Sequence, residues 1–115
     1  MFAPFFGIPA STLKATTRLA KMTGAAVNPF VIQRLPDARG YALTIQPALE
    51  NFPGENEVED ATRFNALIEA QARENPEQYL WIHRRFKSRP PGEPKLYPQK
   101  PEPRKKKTRA RKQAD

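Results

Sequence analysis

The 115-residue chain contains no cysteine and one histidine. The first absence excludes disulfide staples and thiolate metal sites; the second would leave a metal to carboxylates beside a lone imidazole. No metal and no cofactor are therefore expected. The sequence also lacks any apolar run near the ~18 residues that a membrane-spanning helix needs. Its apolar start, MFAPFFGIPA, has neither the basic flank nor the length of a signal peptide. A cytoplasmic-side protein is the expectation.

Charge is plentiful but uneven. Residues 87–115 hold eleven Lys and Arg against three acids, a net +8, whereas residues 1–86 hold nine of each and are neutral. The same stretch holds six of the 13 prolines and few large apolar residues beyond Leu96 and Tyr97. Such a composition buries too little surface to offset the entropy of ordering. Residues 88–115 therefore read as a disordered basic tail behind a foldable part at 1–87. That part is one small domain, near the size at which a single core is only marginally sufficient.

Along the foldable part, FAPFF reads as a short buried strand that Gly7, Ile8 and Pro9 turn. A helix is predicted over Thr12–Thr23, with Ser11 as N-cap and Gly24 at the left-handed C-cap position. Leu13, Thr17 and Ala20, with Leu19 beside them, form its apolar stripe. AAVNPFVIQRL reads as a buried strand, PDARG as a turn, and the alternating YALTIQP as a half-buried partner strand. This order implies an α/β sheet rather than a helix bundle. A second helix is marked by Asn56 as cap, Glu59 completing a capping box, and Glu57, Glu59 and Asp60 against its dipole. Ala61, Phe64, Leu67, Ile68 and Gln71 share one side of it at helical spacing, and Asn75-Pro76 ends it. The sheet starts with nothing to cover its first strand, as though the domain begins in the middle.

Residues 79–94, YLWIHRRFKSRPPGEP, combine aromatics, the single histidine and basic side chains before stopping in prolines. Together with PFFGIPASTLKATTRLAKMTGAAVNPFVIQRL and YALTIQPALENFP, this segment resembles the C-terminal part of the lipid A biosynthesis acyltransferases, nearest to the lauroyl type. The similarity runs from about Phe2 to Glu93. Its specific features are the Phe-Phe-Gly turn before a Thr-containing helix, and Tyr-Leu-Trp-x-His-Arg-Arg-Phe-Lys before prolines. The resemblance implies part of a glycerolipid-acyltransferase-like sheet with flanking helices. It also implies transfer of a fatty acyl chain from acyl-carrier protein to a Kdo-lipid A precursor, at the cytoplasmic face of the bacterial inner membrane. In that family a His-x4-Asp/Glu pair deprotonates the acceptor hydroxyl as it attacks the thioester. Here His83 is followed at that spacing by Ser88, not a carboxylate, and it falls in the family's C-terminal block. No catalytic residue is expected in the chain, which reads as truncated, inactive alone, peripheral at the membrane, and in want of an N-terminal half. Asn28 departs from the small apolar residue expected in that strand.

Candidate substrate-binding residues follow from the same segments. Phe5, Phe6 and Gly7 could shape the acyl or acceptor pocket, although a core strand ending in a tight turn uses the same residues. Ser11 and Thr12 could donate to a phosphate or carbonyl, although capping explains Ser11 more simply. Arg84 and Arg85 offer planar forks to lipid A phosphates, or pair with Glu57, Glu59 or Asp60. For His83, a hydrogen-bonded packing role is the simpler reading. Tyr79, Trp81 and Phe86 suit a membrane interface. The run RKKKTRARKQ would hold an anionic membrane at about 1 kcal/mol per basic residue near the surface, or bind RNA by counterion release. A small basic binding module is thus the alternative function. The absence of interleaved aromatics and of an RNA-binding motif weighs against nucleic acid.

Overall fold

The computed structural model describes residues 1–99 and residue 101. The basic run at 104–113, expected to be disordered, lies outside the described residues. The class is mixed α/β, built from two antiparallel hairpins, two helices and one 3-10 turn.

The first hairpin pairs β1 (Phe2–Phe5) with β2 (Ile8–Ser11), from Phe2↔Ser11 to Phe5↔Ile8. Phe6 and Gly7 connect them with φ of 48° and 74°. Two positive-φ residues give the tight connection whose twist matches that of the strands. The left-handed backbone at Phe6, uncommon for an aromatic residue, is held from outside. Its N–H donates to Glu69 Oε1 at 2.6 Å, and its ring meets the Arg73 guanidinium at 5.0 Å. Pro4 and Pro9 face each other at a pair whose N–H groups would point out of the hairpin, so no ladder bond is lost. The sequence reading is corrected here: Ile8–Ser11 is a return strand, and Ser11 pairs with Phe2 instead of capping a helix.

Helix α1 (Ala15–Thr23) starts after Lys14, which makes no side-chain cap. Gly24 closes it as expected, at φ 69°, its N–H donating to Ala20 O at 2.9 Å. Of the expected stripe, Thr17 and Ala20 are buried, whereas Leu13 and Leu19, like Met22, face outward. Strands β3 (Phe30–Arg34) and β4 (Tyr41–Ile45) form the second hairpin, paired from Phe30↔Ile45 to Arg34↔Tyr41. The hairpin was legible; its burial was not, because Phe30, Ile32, Tyr41, Leu43 and Ile45 are all exposed. Asn28 lies ahead of β3, and its amide donates to Gln46 O at 3.2 Å, which accounts for a polar residue there. The two hairpins are separate sheets and do not join into one.

Helix α2 (Glu57–Glu74) begins where expected: Asn56 Oδ1 accepts from Val58 N at 2.8 Å and Glu59 N at 3.4 Å. Asp60, one turn in, accepts from Gly54 N through both oxygens, at 3.0 and 3.2 Å. The buried face is Asp60, Ala61, Asn65 and Ala72, which packs on β1. Of the expected apolar side, Ala61 alone is buried. Phe64 and Leu67 are half-buried and Ile68 is exposed, bordering an open cleft of about 310 Å³ on the Val31 side of the second hairpin. Pro76–Gln78 then form a 3-10 turn. Between residues 88 and 99, Arg89 Nη1 donates to Pro9 O at 2.8 Å, and the Tyr97 hydroxyl accepts from Phe86 N at 3.2 Å. Among the described residues the buried apolar ones are Phe5 and five alanines, a thin core.

Two checks follow from the caps and ion pairs. Asn56→Ala should cost about 1 kcal/mol in a urea titration, the ordinary value of an N-cap. Glu57 accepts from Lys14 Nζ at 2.9 Å and Arg18 Nε at 3.3 Å, tying α1 to the start of α2. The Lys14 hydrogen bond first, then that of Arg18, holds the Glu57 carboxyl below its usual value. A carboxylate whose folded pKa is depressed stabilises the fold above its unfolded pKa. That contribution is lost as pH falls through the folded value. An NMR titration should find Glu57 below the usual carboxylate range in the native chain and raised by Lys14→Ala.

Candidate functional site

The chain's best-connected polar cluster sits where α2, the first hairpin and the segment after the 3-10 turn meet. Asn65, 1% exposed, is its hub. Its Nδ2 donates to Pro4 O at 3.0 Å and to Thr12 Oγ1 at 3.3 Å, while its Oδ1 accepts from Arg85 Nη2 at 2.6 Å. Thr12 Oγ1 in turn donates to Ala10 O at 3.0 Å. The Arg85 guanidinium lies 5.0 Å from the centre of the Phe5 ring, a cation–π arrangement. The outward carbonyls left by the two facing prolines are thus taken, Pro4 by Asn65 and Pro9 by Arg89. Arg89, its side chain 8% exposed, also lies 3.6 Å from Glu93. The Nε atoms of Arg85 and Arg89 are buried without a hydrogen-bond partner.

Beside the cluster the aromatics build a wall. The Phe5 ring is 6.0 Å from Phe86 and 6.2 Å from Tyr79, and Tyr79 meets Trp81 edge-on at 4.8 Å. Trp81 Nε1 donates to Pro76 O at 2.6 Å, which fixes the indole. Phe5, Phe6, Tyr79, Trp81 and His83 line a cleft of about 410 Å³ with Arg85 at its edge. An apolar wall with a cationic edge suits an apolar chain carrying an anionic or carbonyl end.

Of the residues singled out by sequence, the fold brings Phe5, Phe6, Gly7, Thr12 and Arg85 together. Ser11 is exposed at the end of β2. Arg84 turns away, its guanidinium 5.8 Å from the Tyr97 ring, and borders a second groove with Lys87 and Lys95. Among the described residues, Glu57 pairs with Lys14 and Arg18, and neither Arg84 nor Arg85 meets an acid. His83 is exposed on the cleft rim, and its ring makes no hydrogen bond among the described residues, so the expected hydrogen-bonded packing role does not hold. Sequence reasoning missed Asn65 and Arg89. The signal for Asn65 was a polar residue four positions from Ala61 on the face that packs inward.

The described residues thus form a mixed α/β unit with two separate two-stranded sheets and an aromatic cleft that Arg85 also lines. The sequence comparisons give the family. The bacterial lipid A biosynthesis acyltransferase family matches residues 1–88, and the chain belongs to it. The chain is 44% identical over 97 residues to the lipid A biosynthesis palmitoleoyltransferase of Escherichia coli K12, covering 84% of this chain and 31% of that protein. To the lauroyltransferase of the same organism it is 41% identical over 98 residues, 84% and 32% of the two chains. To its myristoyltransferase it is 35% identical over 101 residues, 86% and 31%. The chain thus spans about a third of the length of these relatives, and the lauroyl and palmitoleoyl branches are similar to it in nearly equal measure. No solved structure matches. Among the described residues no helix is long and apolar enough to cross a membrane.

Proposed function

We propose that these 115 residues act as the C-terminal structural portion of a lipid A acyltransferase and carry out no acyl transfer by themselves. The observation that supports this most is the family match over residues 1–88 in a chain without a His-x4-Asp/Glu pair. The reaction is transfer of a fatty acyl chain from acyl-carrier protein to a Kdo-lipid A precursor, the donor and acceptor that the resemblance implies. It takes place at the cytoplasmic face of the bacterial inner membrane, where this chain is peripheral. Residues 1–87 form the acyltransferase-like unit and 88–115 a basic extension, whose described residues Arg89 and Tyr97 bond to that unit.

Within that reaction the chain's part is positioning. The Arg85–Asn65–Thr12 network fixes the turn at Phe5-Phe6-Gly7, which borders the acyl or acceptor pocket. Arg84, with Lys87 and Lys95 beside it, faces the phosphates of the acceptor or of the membrane. In the whole protein the two hairpins belong to one glycerolipid-acyltransferase-like sheet.

The test is a graft. Residues 1–97 of this chain replace the matching segment of the E. coli palmitoleoyltransferase, and the chimera is produced in cells lacking that enzyme. Mass spectrometry should find palmitoleoylated lipid A restored. A chimera that accumulates in folded form and leaves lipid A unmodified counts against the proposal.

A further inference from the structure

The second hairpin carries an apolar face and an open edge that no contact among the described residues covers. In an antiparallel ladder, residues facing each other at non-hydrogen-bonded positions point their side chains to one face and their N–H and C=O groups out of the hairpin. The flanking bonds Leu35 N to Gly40 O, 2.9 Å, and Gln46 N to Pro29 O, 2.8 Å, fix the alternation. They make Phe30↔Ile45, Ile32↔Leu43 and Arg34↔Tyr41 the non-hydrogen-bonded pairs. Five of these six residues are apolar or aromatic, share one face, and are 58–71% exposed. The same pairs leave the N–H and C=O groups of Tyr41, Leu43 and Ile45 on the outer edge of β4.

The two edges are not alike. On β3 the Gln78 side chain acts as a substitute strand: Arg34 N donates to its Oε1 at 2.8 Å, and its Nε2 donates to Arg34 O at 3.1 Å. On β4 no partner meets the edge among the described residues. A two-stranded ribbon with a continuous apolar face is marginal in water, and an open edge beside it is a template for another strand.

We infer that the β4 edge, with the face formed by Phe30, Ile32, Tyr41, Leu43 and Ile45, is the docking surface for a strand of the polypeptide that makes up the remaining two-thirds of this family's proteins. The inference rests on the functional reading above. The occupant is argued from length and geometry. The relatives carry about two-thirds of their length outside the matched segment, and the outward backbone groups call for a strand, which a lipid surface cannot supply. Docking adds the strand by backbone pairing at Tyr41, Leu43 and Ile45, and buries the five side chains against that polypeptide's own core.

Hydrogen exchange tests this in the 115-residue chain and in the purified chimera. In the chain alone, the amides of Tyr41, Leu43 and Ile45 should exchange as free amides at all protein concentrations. The double variant Leu43→Lys/Ile45→Lys should keep its melting temperature within about 3 °C, as exposed positions do. In the chimera the same amides should slow by at least ~100-fold, and the double variant should lose at least ~10-fold in folded yield or turnover. Slowing in the chain alone that grows with concentration would assign the surface to a second copy and overturn the inference, as would slowing that needs anionic vesicles. A large melting loss in the chain alone overturns it too, by showing that the face is already packed. An active chimera with fast amides sinks the docking surface and leaves the functional reading intact. Slow amides in a folded chimera without turnover do the reverse.

Discussion

Given an acyl-carrier-protein thioester and a lipid A precursor, the 115-residue chain is expected to give no turnover above the protein-free reaction. Attack of a hydroxyl on a thioester needs a base that takes the proton as the bond forms, and such a base contributes roughly 10²–10⁴-fold. The sequence holds one imidazole, His83, and the residue at the spacing of the family's carboxylate is Ser88. The structure adds that His83 lies exposed on the rim of the aromatic cleft. No carboxylate orients its ring among the described residues. An imidazole free in solvent is no better placed than a buffer molecule. His83→Ala should accordingly cost the chimera far less than the roughly 10²-fold or greater loss that removing a general base causes. Turnover by the chain alone that His83→Ala abolishes would overturn this assignment.

Asn65→Ala should be among the most damaging single changes to the fold. It removes two donated hydrogen bonds and one accepted from a guanidinium, at a position 1% exposed to solvent. Leaving buried groups unsatisfied costs about 1–3 kcal/mol each, and more where charge is involved. Partial access of water to Arg85 and Thr12 brings the expected loss to about 3 kcal/mol. For a domain of this size that lowers the melting temperature by about 15 °C. Among the described residues Phe5 and five alanines are the buried apolar ones, so little hydrophobic reserve offsets the loss. Thermal unfolding followed by circular dichroism measures it; a shift under about 2 °C would mean that the network is not a structural hub. Asn65→Asp separates the parts of the network, because it keeps the acceptor for Arg85 and removes the donors to Pro4 and Thr12.

The features that could be read from the sequence are those set by neighbours in the chain. Asn56 and Gly24 cap because their own backbone and side chain suffice, and the second hairpin follows from local alternation around Asp37 and Gly40. The first strand was legible despite Pro4, but its return strand was hidden because Pro9 looks like a strand breaker, and only the pairing register shows that it needs no N–H there. Helix α2 misled through its stronger apolar side. Phe64 and Ile68 border an open cleft, while the closely packed side is small residues around one asparagine. Which face is inward depends on β1, some 60 residues earlier in the chain, as the contact between Pro4 and Asn65 shows. The same separation explains the site. Phe5, Phe6, Gly7, Thr12 and Arg85 were singled out through a family motif. Asn65 joins them only in space, and Arg89 stood in a proline-rich stretch read as tail. A single sheet was expected, but its absence is not local either: no third strand within the described residues reaches the β4 edge.

On the proposed function this chain supplies structure, and not the acid–base chemistry, to a lipid A acyltransferase. The most direct measurement is acyl transfer by two purified proteins side by side, the 115-residue chain and its chimera with the E. coli palmitoleoyltransferase. The chimera should turn over and the chain alone should not. Turnover by the chain alone, or a folded chimera that transfers nothing, would contradict it.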